Sequence, residues 1–196
     1  MSRIEGIKIK NYGVLKDVVL GKTFSNQSGK PLGNLTAVIG SCGSGKSTMA
    51  DVFGFISDCL RIGVEDACEA NNRGGFEALR SIGSDEPISF EIYYRERNNS
   101  RPITYELQID VDKAGRPYIL EERLRQCVKD RGRPLSFLYL HKGKGYAFVG
   151  TDGGQDDNGV ITGEKCDVDL ADMRRPGIVT LGAMKQYNRI ERFLDF

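Results

Sequence analysis

Gly40-Ser41-Cys42-Gly43-Ser44-Gly45-Lys46-Ser47 decides how the rest of this 196-residue sequence is read. The run satisfies G-x-x-x-x-G-K-[ST], the pattern of a loop that cradles phosphates. Glycines at 40, 43 and 45 free the backbone to turn successive N–H groups toward one point, and a helix starting there adds its positive end. Lys46 is expected to reach the β and γ phosphates of ATP as the catalytic cation, and Ser47 to offer its hydroxyl to Mg²⁺. Thr48 is expected to support the first helical turn. The expected nucleotide-binding set is thus Gly40, Ser41, Cys42, Gly43, Ser44, Gly45, Lys46, Ser47 and Thr48. The plain alternative is a Gly/Ser-rich turn carrying a solvated lysine.

The flanks favour the phosphate loop. Residues 35–39, Leu-Thr-Ala-Val-Ile, read as a short buried strand. Met49, Val52, Phe53, Ile56 and Leu60 recur at helical spacing, with Gly63 as a stop. Further upstream, residues 4–9 and 14–20 read as two strands joined at Asn11-Tyr12-Gly13. A hairpin before the loop is unlike small-molecule kinases and GTPases, where the loop belongs to the first βα unit.

Downstream, strand follows strand. Ile88, Phe90, Ile92 and Tyr94 alternate with polar positions or Tyr93, as do Tyr105, Leu107, Ile109 and Val111 with Glu106, Gln108 and Asp110. A turn at 113–116 leads into a strand over 118–124, and a further pair is expected at 135–140 and 146–149 around Lys142-Gly143-Lys144-Gly145. The expected organisation has a hairpin, loop strand and helix over 1–63 and an irregular connection over 64–87. An antiparallel meander over 88–150 follows, then an acidic loop, strand and terminal helix over 151–196. The expected fold class is α/β: a P-loop NTPase core with an N-terminal β-hairpin and an antiparallel β-meander subdomain.

On the hairpin motif Ile-Lys-Ile-Lys-Asn-Tyr-Gly-Val-Leu-Lys-Asp over 7–17 and on residues 38–48, the chain resembles the N-terminal half of the SMC/RecF/OLD-like group of ABC-type, AAA-related P-loop ATPases. That resemblance implies a fold that is ABC-ATPase-like and incomplete, a head closing with a second head or subunit around ATP, cytoplasmic work in DNA repair or phage defence, and DNA as a further partner. Cys42 stands where the group often has asparagine. Hydrolysis there needs a Walker B carboxylate pair, a Ser-Gly-Gly signature and a histidine switch. None is legible: Asp110 reads as the solvated face of a hairpin strand, and His141 as a surface residue at a hairpin tip. The resemblance also gives Gln186, after the apolar stretch 178–181, as a candidate for the glutamine that bridges Mg²⁺ and the γ-phosphate.

An apolar helical stripe at Met184, Tyr187, Ile190, Phe193 and Leu194 still runs when the sequence stops at Phe196, so the expectation is the N-terminal part of a longer protein, hydrolysing ATP only when completed. A non-hydrolysing subunit regulated by nucleotide, binding DNA or protein, is the alternative; a P-loop phosphotransferase fits the strand order worse.

Composition narrows the rest. With 39% hydrophobic and 28% charged residues the chain is folded rather than disordered. The net charge of +1 supplies no global attraction for nucleic acid, so any such hold needs a local patch. Arg123, Arg125, Lys129, Arg131 and Arg133, with Lys142 and Lys144, are the candidates, although Glu121, Glu122 and Asp130 balance them as a solvated face. The glycine-rich acidic run 150–159 misses calcium-loop spacing and reads as a loop. Five cysteines without a C-x-x-C pair argue against zinc and for a reducing compartment, and a single histidine leaves little room for a catalytic triad. No apolar run is long enough for a membrane span and no signal-type apolar core opens the sequence, so the cytoplasm is expected.

Overall fold

A computed structural model describes residues 3–95, 101–127, 134–149, 163–187 and 190. Eight strands form one antiparallel sheet: β1 (Arg3–Tyr12), β2 (Leu15–Gly21), β3 (Ile88–Arg95), β4 (Ile103–Val111), β5 (Pro117–Cys127), β6 (Pro134–His141), β7 (Lys144–Val149) and β8 (Glu164–Asp169), in the order β2-β1-β3-β4-β5-β6-β7-β8. The period-2 alternation dictates its two faces. Ile7, Ile9, Phe90, Ile92, Tyr105, Leu107, Leu124, Leu138 and Ala147 share one face through the register Ile9↔Phe90↔Leu107 and Tyr105↔Leu124↔Leu138↔Ala147. Helices cover that face: α1 (Lys46–Ile62), α2 (Val64–Glu69), α3 (Phe76–Leu79) and α4 (Gly177–Gly182). Phe55 of α1 packs against Tyr12 and Phe90 at ring separations of 5.3 and 5.8 Å, which seats the helix on β1 and β3.

Several expectations are corrected. Residues 35–39 form no strand; Leu35 and Ile39 are 93% and 91% exposed. An isolated strand leaves its main-chain donors and acceptors unpaired, and every ladder among the described residues is antiparallel, so nothing lies alongside this segment in the parallel arrangement a buried loop strand needs. In α1 the buried stripe is Met49, Val52, Phe55, Ile56 and Cys59, whereas Phe53 faces outward. Residues 64–87 are not irregular throughout, since α2 and α3 lie there, each entered through a positive-φ glycine, Gly63 and Gly75. The apolar stretch 178–181 belongs to helix α4. Strand β8 falls instead at Glu164–Asp169, where Val168 alone is buried and gives almost no alternation to read. Phe193 and Leu194 of the expected terminal helix, and the acidic run 150–159, lie outside the described residues. No described helix is long and apolar enough to cross a membrane.

Candidate functional site

The loop of residues 40–45 runs from the bare segment 35–39 into α1. Gly43 and Gly45 take φ of +77° and +90°, values that L side chains rarely adopt, so glycine is needed at both positions. A Cβ on Gly45 would also lie 2.9 Å from Leu15 Cδ2 and 3.0 Å from Val14 Cγ2. The tip of the β1–β2 hairpin thus sits directly against the loop, and the Thr48 methyl abuts Gly13 on its other side. Ser81 Oγ donates to the Gly13 carbonyl at 2.7 Å, and the Gly13 N–H donates to the Leu79 carbonyl, so α3 buttresses the same tip.

Two features make the loop receptive to phosphate. Gly45 caps α1 without any side-chain hydrogen bond, leaving the first-turn amides with no intrahelical acceptor. The Lys46 ammonium reaches back over the loop and donates to the Gly40 and Ser41 carbonyls at 2.8 and 2.7 Å, which leaves one of its three N–H donors over. Ser41, Cys42, Ser44 and Ser47 are exposed around it. The donor set is all N–H, ammonium and hydroxyl, which suits a polyanion and, at Ser47, a hard cation already carrying phosphate oxygens.

Asp51, one turn beyond Ser47 on α1, would be the nearest further carboxylate on the helix, but it is committed elsewhere. Arg73 donates to both of its oxygens through Nε at 3.1 and 3.2 Å and again through Nη2 at 3.0 Å, while Tyr12 donates its hydroxyl at 2.5 Å. Arg73 Nη1 goes on to Asp58 at 2.7 Å and to the Ala67 carbonyl at 3.0 Å, and the guanidinium lies over Phe55. Burial pushes the Asp51 carboxyl up, but the hydrogen bonds and charge of Arg73 outweigh it and hold the group below the usual carboxylate range. Burial, then the bond to Asp51 and its charge, push the Tyr12 hydroxyl up. This Tyr12–Asp51–Arg73–Asp58 cluster ties hairpin, helix and connection together beside the loop. Sequence reading missed it because its members are spread over 62 positions with no motif; the one clue was an arginine and a tyrosine each beside a turn glycine.

The structure does not bring the other candidates to the loop. Gln186 is exposed in a short 3-10 turn, Lys185–Tyr187, that packs against β7, five strands along the sheet from β1. The Asp110 carboxylate accepts its neighbour Val111's N–H at 2.9 Å, and His141 is exposed at the end of β6. No cluster of three or more metal-ligating side chains occurs among the described residues. Three members of the basic stretch are paired: Arg123 with Glu121 at 3.1 Å, Arg125 with Glu106, and Lys144 with Asp169 at 3.0 Å. Lys129, Arg131 and Arg133 lie outside the described residues. Glu122, expected as a balancing surface charge, is fully buried.

A family model described as "AAA domain, putative AbiEii toxin, Type IV TA system" matches residues 35–158, more than half of the chain. No curated protein and no solved structure matches it.

Proposed function

The chain belongs to that AAA domain family of P-loop ATPase type, and from this premise we propose that it is the ATP-binding module of an SMC/RecF/OLD-like ATPase. The observation that carries the reading is the uncapped start of α1 behind two positive-φ glycines, with Lys46 braced across the loop. In this reading the amides of residues 43–47 hold the β-phosphate, and Lys46 swings from the Gly40 and Ser41 carbonyls to the β and γ phosphates. Ser47 would hold Mg²⁺, which when bound neutralises phosphate charge. The hairpin tip at Val14 and Leu15 sets one wall of the nucleotide's path.

Hydrolysis is assigned to the complete assembly. Leu35, Val38 and Ile39 are exposed beside the loop, which supports the addition of a parallel strand from another segment or subunit, bringing a carboxylate in place of Asp51, which Arg73 and Tyr12 hold. A head-to-head copy or second subunit would complete the site, with DNA repair or phage defence as the setting. The second reading, a nucleotide-regulated binding subunit that does not turn over ATP, is favoured by the commitment of Asp51, the carboxylate one turn from Ser47, to Arg73 and Tyr12. ATP turnover by this chain alone, abolished in Lys46→Ala, excludes it. The long meander between helices disfavours a phosphotransferase.

Titration with a fluorescent ATP analogue tests the main reading. Lys46→Ala is expected to weaken binding by about 2–4 kcal/mol, roughly 30- to 1,000-fold. Equal affinity of variant and wild type overturns it.

A further inference from the structure

A cavity of about 680 Å³ opens where the β4–β5 turn meets the β6–β7 turn and the segment 171–174. Its volume is in the range of small-molecule sites. Pro117, Tyr118 and Met173 supply apolar surface, and the charged groups around it are Asp112, Lys113, Arg116, Lys142, Asp172 and Arg174. Both carboxylates are already spent: Asp112 on Arg116 at 2.9 Å, and Asp172 on Arg174 at 3.3 Å. Lys113 and Lys142 have no ion-pair partner among the described residues, so the cavity carries a surplus of two positive charges beside an aromatic ring. The Lys142 ammonium stands 5.8 Å from the Tyr118 ring centroid.

The backbone gives an independent reason to regard Lys142 as placed for a ligand. Among the described residues, four that are not glycine have positive φ. Three are asparagines, the type that tolerates this conformation, and the fourth is Lys142 at +50°. With Gly143 at +75° it forms a tight two-residue turn between β6 and β7, where Asn-Gly is the stable choice. A lysine here is a strained residue, and strain of this kind collects at functional positions. The turn is fixed rather than loose: the Lys142 N–H donates to the Leu120 carbonyl, the Gly143 carbonyl accepts from Leu170, and a Cβ on Gly143 would clash with the Leu170 oxygen at 2.7 Å.

We propose that this cavity, separate from the phosphate loop, binds a small organic anion whose flat ring lies against Tyr118 and whose acidic group sits between Lys113 and Lys142. The ring gains from apolar burial and the acidic group from two unpaired ammoniums, so neither a neutral ring nor a bare inorganic ion uses the whole site.

Calorimetric titration with 1-naphthyl phosphate tests it. Lys142→Asn and Lys113→Ala are each expected to weaken binding about tenfold, the loss of one charge-assisted contact, while Lys46→Ala leaves it unchanged. Lys142→Asn should meanwhile raise the melting temperature by about 2 °C, because asparagine relieves the turn, which separates lost binding from lost fold. Lys113→Ala, at an exposed hairpin tip, gives the same separation if the turn variant misbehaves. The inference fails if the probe does not bind at millimolar concentration, if neutral 1-naphthol binds as tightly, or if affinity falls in Lys46→Ala but not in the two pocket variants.

Discussion

Replacing Arg73 with methionine is expected to lower stability by about 3–5 kcal/mol, the cost of stripping the partner from buried charge. The arginine side chain is 4% exposed and holds Asp51 and Asp58 at once, the latter 9% exposed. Without it, Asp58 keeps only Arg61 at 3.1 Å and Asn71 at 3.0 Å, and Asp51 keeps Tyr12. Methionine preserves much of the volume over Phe55, so the loss is electrostatic rather than a cavity. Arg73→Lys should recover little, because a single ammonium cannot fork to two carboxylates and the Ala67 carbonyl together. Adding Asp58→Asn to Arg73→Met should restore part of the loss by removing the stranded charge. Urea unfolding at neutral pH measures all three; a loss below about 1 kcal/mol in Arg73→Met would show the cluster to be incidental. The variant also bears on nucleotide affinity. Tyr12 and Asp51 join the hairpin to α1 one turn from Ser47, so loosening them lets Val14 and Leu15 drift from Gly45, and ATP-analogue binding should weaken although no phosphate contact is removed.

How far such features were legible in the sequence depends on the range over which their causes act. The glycine turn ahead of α1 was legible because its requirement is local: glycine at 43 and 45 is demanded by the φ of those residues. The meander was legible because each strand buries one face, and a period of two survives whatever the neighbour is. Phe53 and Phe55 illustrate the limit. Both fit a loose helical stripe, and only the direction from which Tyr12 and Phe90 approach makes Phe55 the core residue. Residues 35–39 carry strand-like chemistry, yet a strand exists only by pairing, and no described strand pairs with them. Residues 178–181 show the converse, an apolar run too short for period alone to distinguish strand from helix. The Arg73 cluster was illegible for another reason: ion pairs between residues 15 and 22 positions apart leave no local pattern.

Glu122 was misread for the subtlest reason, a single inserted residue, and its burial leads to the other large effect. The β4–β5 register changes from Gln108↔Glu121 to Ile109↔Ile119, so Leu120 is an extra residue in β5. That bulge puts Glu122 on the same face as Ile119 and Leu124, under α4. There Oε2 accepts the Gly177 N–H at 2.5 Å, and Oε1 accepts the Ile178 N–H at 3.0 Å and the Tyr105 hydroxyl at 2.9 Å. Burial dominates those three stabilising bonds and pushes the carboxyl up from 4.5 to about 7. The folded protein therefore holds this proton more tightly than the unfolded chain. The contribution to stability is complete below pH 4.5 and is lost as pH rises through 7, a change of about 3 kcal/mol. Asp51 and Glu5, whose carboxyls are held low, act oppositely and below this window, losing their contributions in acid. Urea midpoints should accordingly fall as pH is raised from 5 to 8. In Glu122→Gln the slope over that interval should flatten, whatever the absolute cost of trading a carboxylate for an amide with one acceptor oxygen. Because the comparison is between slopes, a destabilised variant still gives the answer, and parallel slopes in the two proteins would mean that Glu122 keeps an ordinary proton affinity despite its burial.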